Sequence, residues 1–231
     1  MSATNIYAST EIKAVAFDLG GVVFSAGKEV AKQSWERRGY DSTLIRQLLI
    51  SAESMQLRTG KMDDDTFWNV FFKKNVPDTY DVDLIKKLWY DGYVADLDIQ
   101  MVIQSLRANG IKVVAFSGNI SSRIDYLENK YNIRRFFDEE VYSFDYGYTK
   151  PDDRFVEALI QKVFPKAPKD KLADYGKHIF YIDDNPKDAE PALKYNIPTF
   201  IYQRGNIEPL RKKFDELGIN VRASFMSLPI K

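Results

Sequence analysis

Three strongly apolar runs punctuate the chain, and each ends abruptly on a polar turn. Ala14-Val15-Ala16-Phe17 meets Asp18-Leu19-Gly20-Gly21, residues 111–116 meet Ser117-Gly118-Asn119, and residues 179–182 meet Asp183-Asp184-Asn185. A run without apolar–polar alternation suits a strand buried on both faces, as in a parallel sheet covered by helices. Two weaker strands are expected at 141–144 and 199–202. Helical patterns follow the runs at 120–130, 152–163, 186–195 and 207–217. Apolar strands alternating with helices predict right-handed parallel crossovers, hence an α/β fold with a Rossmann-like parallel sheet.

Residues 27–109 interrupt that alternation. They carry helical spacing over 28–38, 44–50, 63–72, 81–90 and 98–108, with no buried-strand run, and Ser42 or Thr43 is the expected cap of the second helix. The expected organisation is therefore a core of residues 1–26 and 110–231, with residues 27–109 inserted after the first strand as a small helical cap. Asp63-Asp64-Asp65 reads as a solvated helix start, because ligands at calcium-loop spacing are missing. The crowded Trp and Phe positions read as core.

Composition narrows the class. The 231 residues hold 33 Lys plus Arg and 33 Asp plus Glu, so no net charge points to nucleic acid or a membrane surface. The absence of cysteine excludes disulfides, thiolate nucleophiles and cysteine-based metal sites. Residues 1–10 lack signal-peptide character, and no apolar run approaches the ~20 residues that span a bilayer. A cytosolic protein is the expectation.

The ends of parallel strands face one edge of their sheet, so Asp18, Ser117 and the Asp183/Asp184 pair are expected to converge. The acids form an all-oxygen set suited to magnesium. Ser117, the glycine amides and Lys150 are donors that a phosphate dianion needs. With the phosphate charge neutralised, Asp18 would attack phosphorus in line and form an aspartyl-phosphate.

Asp18-Leu19-Gly20-Gly21-Val22, Ser117-Gly118-Asn119, Gly147-Tyr148-Thr149-Lys150-Pro151 and Asp183-Asp184-Asn185-Pro186-Lys187-Asp188 together resemble the four ordered motifs of the haloacid-dehalogenase-like superfamily, over about residues 12–204. The insertion is similar to the small cap of the branch containing sugar-phosphate phosphatases. The resemblance implies a magnesium-dependent phosphatase of small phosphorylated metabolites. It makes Asp18 and Lys150 catalytic, Asp18, the Gly20 carbonyl, Asp183 and Asp184 metal ligands, and Ser117, Gly118, Asn119 and Gly21 substrate-binding. Asp188 would support the metal waters or Lys150. Most family phosphatases carry a second Asp two positions after the nucleophile, where this chain has Gly20. A general acid–base group contributes about 10²–10⁴-fold, so its loss favours leaving groups that need little protonation, such as anomeric or aryl phosphates. Two alternatives stand beside this reading: a catalytically weakened binding or regulatory module, and a 2-haloacid dehalogenase, for which the paired acids would be superfluous.

Other residues carry plainer expectations. His178 is read as a surface or edge residue, Arg211-Lys212-Lys213 as a solvated helix face, and Asp145 as a weak substitute for the missing acid. One or more of Trp35, Arg58, Phe67 and Trp68 would face substrate from the cap. Oligomeric state and residues 220–231 are left open by the sequence.

Overall fold

β1 (Ala14–Phe17) is the central strand of a five-stranded, wholly parallel sheet that continues with β2 (Lys112–Ser117), β3 (Glu139–Tyr142), β4 (Ile179–Asp183) and β5 (Thr199–Ile201), in the order β3-β2-β1-β4-β5. The computed structural model describes residues 11–221. Expectations for the end of the chain beyond 221 lie outside the described residues.

The unalternating apolar runs are explained by two cores, one on each face of the sheet. Ala14 and Ala16 join Val114, Phe116, Ile179 and Tyr181 on one face, while Val15 and Phe17 join Val113, Ala115, Phe180 and Ile182 on the other. Side chains alternate along a strand, so both faces demand apolar residues. Phe17 stands level with Ala115 and Ile182, and the Asp18 amide donates to the Ile182 carbonyl at 2.9 Å. The first residue past β1 is thereby brought beside Asp183. Because the chain leaves β1 toward β2 and later returns to β4 on the other side, the strand order reverses beside β1. A crevice opens at such a point.

Between β1 and β2 the chain forms α1 (Gly27–Glu36), α2 (Ser42–Leu48), α3 (Ala52–Arg58), a π-helical segment Thr66–Phe72, α4 (Val82–Asp91) and α5 (Leu97–Ala108). Trp35, Phe67, Trp68 and Trp89 are buried among these helices. α5 packs on the sheet beside β2. The remaining helices are α6 (Ser121–Tyr131), α7 (Ser143–Tyr146), α8 (Asp153–Val163), α9 (Leu172–Gly176), α10 (Pro186–Leu193) and α11 (Glu208–Glu216). No helix among the described residues is long and apolar enough to cross a membrane.

The helical run α1–α4 leaves and rejoins the rest of the chain through a paired neck. Phe24 bridges Ala95 in antiparallel fashion, the Ser25 amide donates to the Val94 carbonyl at 2.9 Å, and the Asp96 amide donates to the Val23 carbonyl at 2.9 Å. Gly27 and Gly92 touch beneath it, so closely that a Cβ on Gly92 would strike the Gly27 carbonyl.

Several local expectations need correction. α2 is capped by Asp41, whose carboxylate accepts from the Thr43 and Leu44 amides, and not by Ser42 or Thr43. α3 and α9 had no sequence expectation. The strand expected over 141–144 begins at Glu139 and stops at Tyr142, because Ser143 and Phe144 open α7 and the Ser143 hydroxyl turns inward to donate to the Arg58 carbonyl at 2.6 Å.

Candidate active site

Lys150 is the hub of the crevice. Its loop follows α7, and its side chain, only 5 % exposed, reaches back under the strand ends. Nζ donates to Asp18 Oδ1 at 2.8 Å, Asp183 Oδ2 at 2.7 Å and the Tyr181 hydroxyl at 2.8 Å. Three ammonium protons thus meet three oxygens. Burial works against the charge, but Asp18, Tyr181 and Asp183 outweigh it and hold Lys150 well above its ordinary pKa. Both Asp183 oxygens are held, Oδ2 also accepting from Tyr181 and Oδ1 accepting from the Asn185 amide at 2.8 Å, which leaves Oδ1 one lone pair for a cation. Burial pushes Asp183 up, yet the Lys150 charge and these hydrogen bonds bring it below the ordinary carboxylate value.

Asp18 and Asp184 stand differently. Burial, reinforced by the Asp183 charge and opposed by Lys150, raises Asp18. Burial and the neighbouring charges of Asp18 and Asp183 push Asp184 up to about 7. One oxygen from each of Asp18, Asp183 and Asp184 lies within 4.8 Å of the others. Three carboxylates around a single ammonium leave negative charge that the protein does not neutralise, and hard oxygen donors suit a hard divalent cation. The residues present therefore fit magnesium. Since a ligand must shed its proton to bind metal, magnesium affinity is expected to rise as pH climbs through about 7, where Asp184 ionises, and then to level off. Calorimetric titration at pH 6, 7 and 8 checks this; an affinity independent of pH would contradict it.

Gly21 explains how Asp184 is held. Its φ is +90°, a region that side chains resist, and a Cβ there would collide with the Asp184 carboxylate. Gly21 does not line the cavity; it seats the acid that does. Gly21→Ala is expected to cost about 1–3 kcal/mol of stability through backbone strain and to weaken magnesium binding by displacing Asp184. Thermal unfolding with and without magnesium checks both effects.

Asp18, Gly20, Ser117, Gly118, Asn119, Lys150 and Asp184 border one cavity of about 500 Å³, which Asp188 also lines. Asp183 lies behind its wall, holding Lys150. Asn119 is buried, its amide donating to Ser143 Oγ at 3.0 Å and its Oδ1 accepting from Arg123 Nε at 2.7 Å. It secures the loop after β2. Beside Gly20 stands Tyr93, whose ring carbon Cε1 would lie 3.4 Å from a Cβ at that position. A phenol ring thus borders the space where the family's second acid would project.

Of the cap side chains weighed from the sequence, Arg58 lines the cavity, whereas Trp35, Phe67 and Trp68 do not. Asp145 is also absent from it and faces Arg134 and Lys162, so it is withdrawn as the substitute acid. Asp63 and Asp65 are exposed and bond locally to Thr66 and Asn69, as a helix start would, whereas Asp64 is half-buried and reaches Lys86 and Ser122 instead of solvent. His178 is half-buried at the edge of the sheet and bonds to the Glu11 carbonyl at 2.9 Å. Sequence reasoning missed Tyr181, Tyr93, Lys28 and Arg123. Two had a signal: Tyr181 lies two residues before Asp183 on the same strand face, and Arg123 lies in the first turn of the helix that follows Asn119.

A family model described as haloacid dehalogenase-like hydrolase matches residues 12–196. An uncharacterized protein of Dictyostelium discoideum is 48 % identical over 223 residues, covering 89 % of this chain and 97 % of its own. Among solved structures, a HAD-family enzyme from Bacteroides thetaiotaomicron, in complex with magnesium and inorganic phosphate, aligns with TM-score 0.67 at 17 % identity, covering 84 % of this chain and 96 % of that one. An L-2-haloacid dehalogenase from Xanthobacter autotrophicus, with chloropropionic acid covalently bound, aligns with TM-score 0.58 at 19 % identity over 90 % of this chain and 84 % of that one. At these identities the two solved structures speak to the fold.

Proposed function

The chain belongs to the haloacid dehalogenase-like hydrolase family, and from that premise we propose that it is a magnesium-dependent phosphatase of small phosphorylated metabolites. The observation that carries the reading is the convergence of Asp184 and Asp183 on Asp18, with one oxygen of each within 4.8 Å. A hydrolase that attacks carbon has no use for that much carboxylate around its nucleophile. The magnesium-and-phosphate complex of the Bacteroides enzyme on a similar fold supports the same choice.

In this reading Asp18, Asp184, Asp183 and the Gly20 carbonyl hold the metal, which supplies neutralising charge to the phosphoryl oxygens. Lys150 orients Asp18 through its 2.8 Å contact, so one carboxylate oxygen is fixed and the other is free to attack. That oxygen bonds to phosphorus as the bond to the leaving oxygen breaks. Ser117 and the Gly118 amide take the phosphoryl oxygens, while the Asn119 amide stays with Ser143 and holds the loop. Water then attacks the aspartyl-phosphate, releasing phosphate and restoring Asp18. The helices α1–α4 serve as the cap of the sugar-phosphatase-like branch, and α5, which covers β2, goes with the core.

No carboxylate at position 20 protonates the leaving oxygen. Aryl and anomeric phosphates are therefore expected to be cleaved about 10²–10⁴-fold faster than simple alkyl phosphates. Phosphate release from a panel of both kinds, with and without magnesium, tests the function and the ranking together. Magnesium-dependent release establishes a phosphatase. No release from any member would favour the second reading, a weakened binding module, for which Gly20 is the specific observation. Halide release from 2-haloacids without magnesium would turn the assignment to dehalogenase.

A further inference from the structure

Facing the acidic strand ends, the cavity has a basic wall. Lys28 in the first turn of α1, Arg58 in the last turn of α3 and Arg123 on α6 all line it. None makes an ion pair among the described residues. Arg58 Nη1 donates only to the Gly118 carbonyl, at 2.8 Å. Arg123 is 1 % exposed; its guanidinium carbon stands 4.4 Å from the Trp89 ring centroid and 4.5 Å from that of Tyr93, and its Nη1 is buried without a hydrogen-bond partner. Lys28 has no hydrogen-bond partner among the described residues.

The nearby acids do not neutralise this wall. Glu29 is committed to Arg46 at 2.7 Å. Asp18 and Asp188 act on Arg58 only from beyond ion-pair distance. The crowding shows in the side chains themselves: burial and then Arg58, Arg123 and Arg46 lower Lys28 to about 8, and burial and then Arg123 lower Arg58 to about 10. Like charges gathered in a half-buried space are costly unless an anion joins them.

Within the phosphatase reading, the transferred phosphoryl group already has Ser117, the Gly118 amide and the metal. It would also leave much of a 500 Å³ cavity unfilled. We propose that Lys28 and Arg58, backed by Arg123, bind a second anionic group, a carboxylate or a second phosphate, carried by the part of the substrate that leaves. The inference rests on that phosphatase reading for the word "leaves", but the subsite can be measured without turnover.

The test uses phosphonates, which the enzyme cannot hydrolyse, titrated calorimetrically into the full chain with excess magnesium. Propylphosphonate carries no second charge, 3-phosphonopropionate carries a carboxylate, and ethane-1,2-bisphosphonate carries a second phosphonate. At least one of the two charged probes is expected to bind about tenfold or more tightly than propylphosphonate, as a charge-assisted contact provides, and the better of the two identifies the group. In Lys28→Met, and separately in Arg58→Gln, the ratio should fall toward one. Equal affinities in the wild type, or a preference untouched by both variants, overturn the subsite. A preference that depends on Lys28 in a protein releasing no phosphate from any ester keeps the subsite and removes the phosphatase reading.

Discussion

Asp18→Asn is expected to lower magnesium-dependent phosphate release by at least about 10⁴-fold, the scale on which loss of a covalent nucleophile is felt. The amide keeps the shape of the carboxylate, and its oxygen still accepts from Lys150 at the 2.8 Å position, so what disappears is the attacking charge. No neighbour replaces it: Asp183 has both oxygens engaged, and Asp184 sits against Gly21. Stability should move the other way. Asp18 has a raised pKa in the folded chain, chiefly through burial; a raised carboxylate contributes stability at low pH that is lost as pH rises through its folded value. At neutral pH, then, the ionised Asp18 strains the metal-free fold, and Asn relieves that strain. The metal-free variant should melt no lower than the wild type. Residual release within about tenfold of wild type would end the nucleophile assignment.

Lys150→Met is expected to cost about 3–5 kcal/mol of stability, the usual result of removing one partner from a buried charge cluster. Lys150 neutralises Asp18 and Asp183 while both are shielded from water, with side chains 12 % and 1 % exposed. Without the ammonium, these carboxylates and Asp184 face one another with no cation. For a chain of this length the loss corresponds to a melting temperature lower by roughly 6–20 °C. Magnesium should recover part of it, and the magnesium-induced shift should be larger in the variant than in the wild type. Thermal unfolding of both proteins with and without magnesium decides the point: a shift in the variant no larger than in the wild type would mean that Lys150 does not compensate the same charge as the metal.

The strand ends were legible because burial on both faces leaves a mark in the sequence. Val15 and Ala16 point to opposite cores, and both must be apolar. Asp18, Ser117 and Asp183 then stand out as the first polar residues after such runs. Other features had no such mark. α3 is seven residues long and buries only Ser54 and Leu57, too few for a helical stripe. Its capping Ser51 looks like any loop serine. β3 ends at Tyr142 because Ser143 bonds to Arg58, 85 residues away, a contact that local pattern does not encode. The same holds for the basic wall. A lysine or arginine on an amphipathic helix normally reads as solvated, and only the fold reveals that Arg123 lies between two aromatic rings. Tyr93 stands beside Gly20 because the loop after α4 returns to the turn after β1, a meeting visible in neither segment alone.

The paired neck between residues 23–25 and 94–96 separates two kinds of inheritance. Lys28, Arg58 and Tyr93 all lie on the far side of it, whereas Asp18, Ser117, Lys150 and Asp184 lie on the near side. An exchange with two crossovers, one at each strand of the neck, would therefore replace Lys28 and Arg58, the proposed anion subsite, as a cassette and leave the strand-end residues in register. The two ends already meet, so a transplanted segment needs only matching ends and room for Arg123. Lineages carrying this arrangement can change what they act on by recombination or drift in one contiguous stretch, while selection on the chemistry is confined to the strand ends.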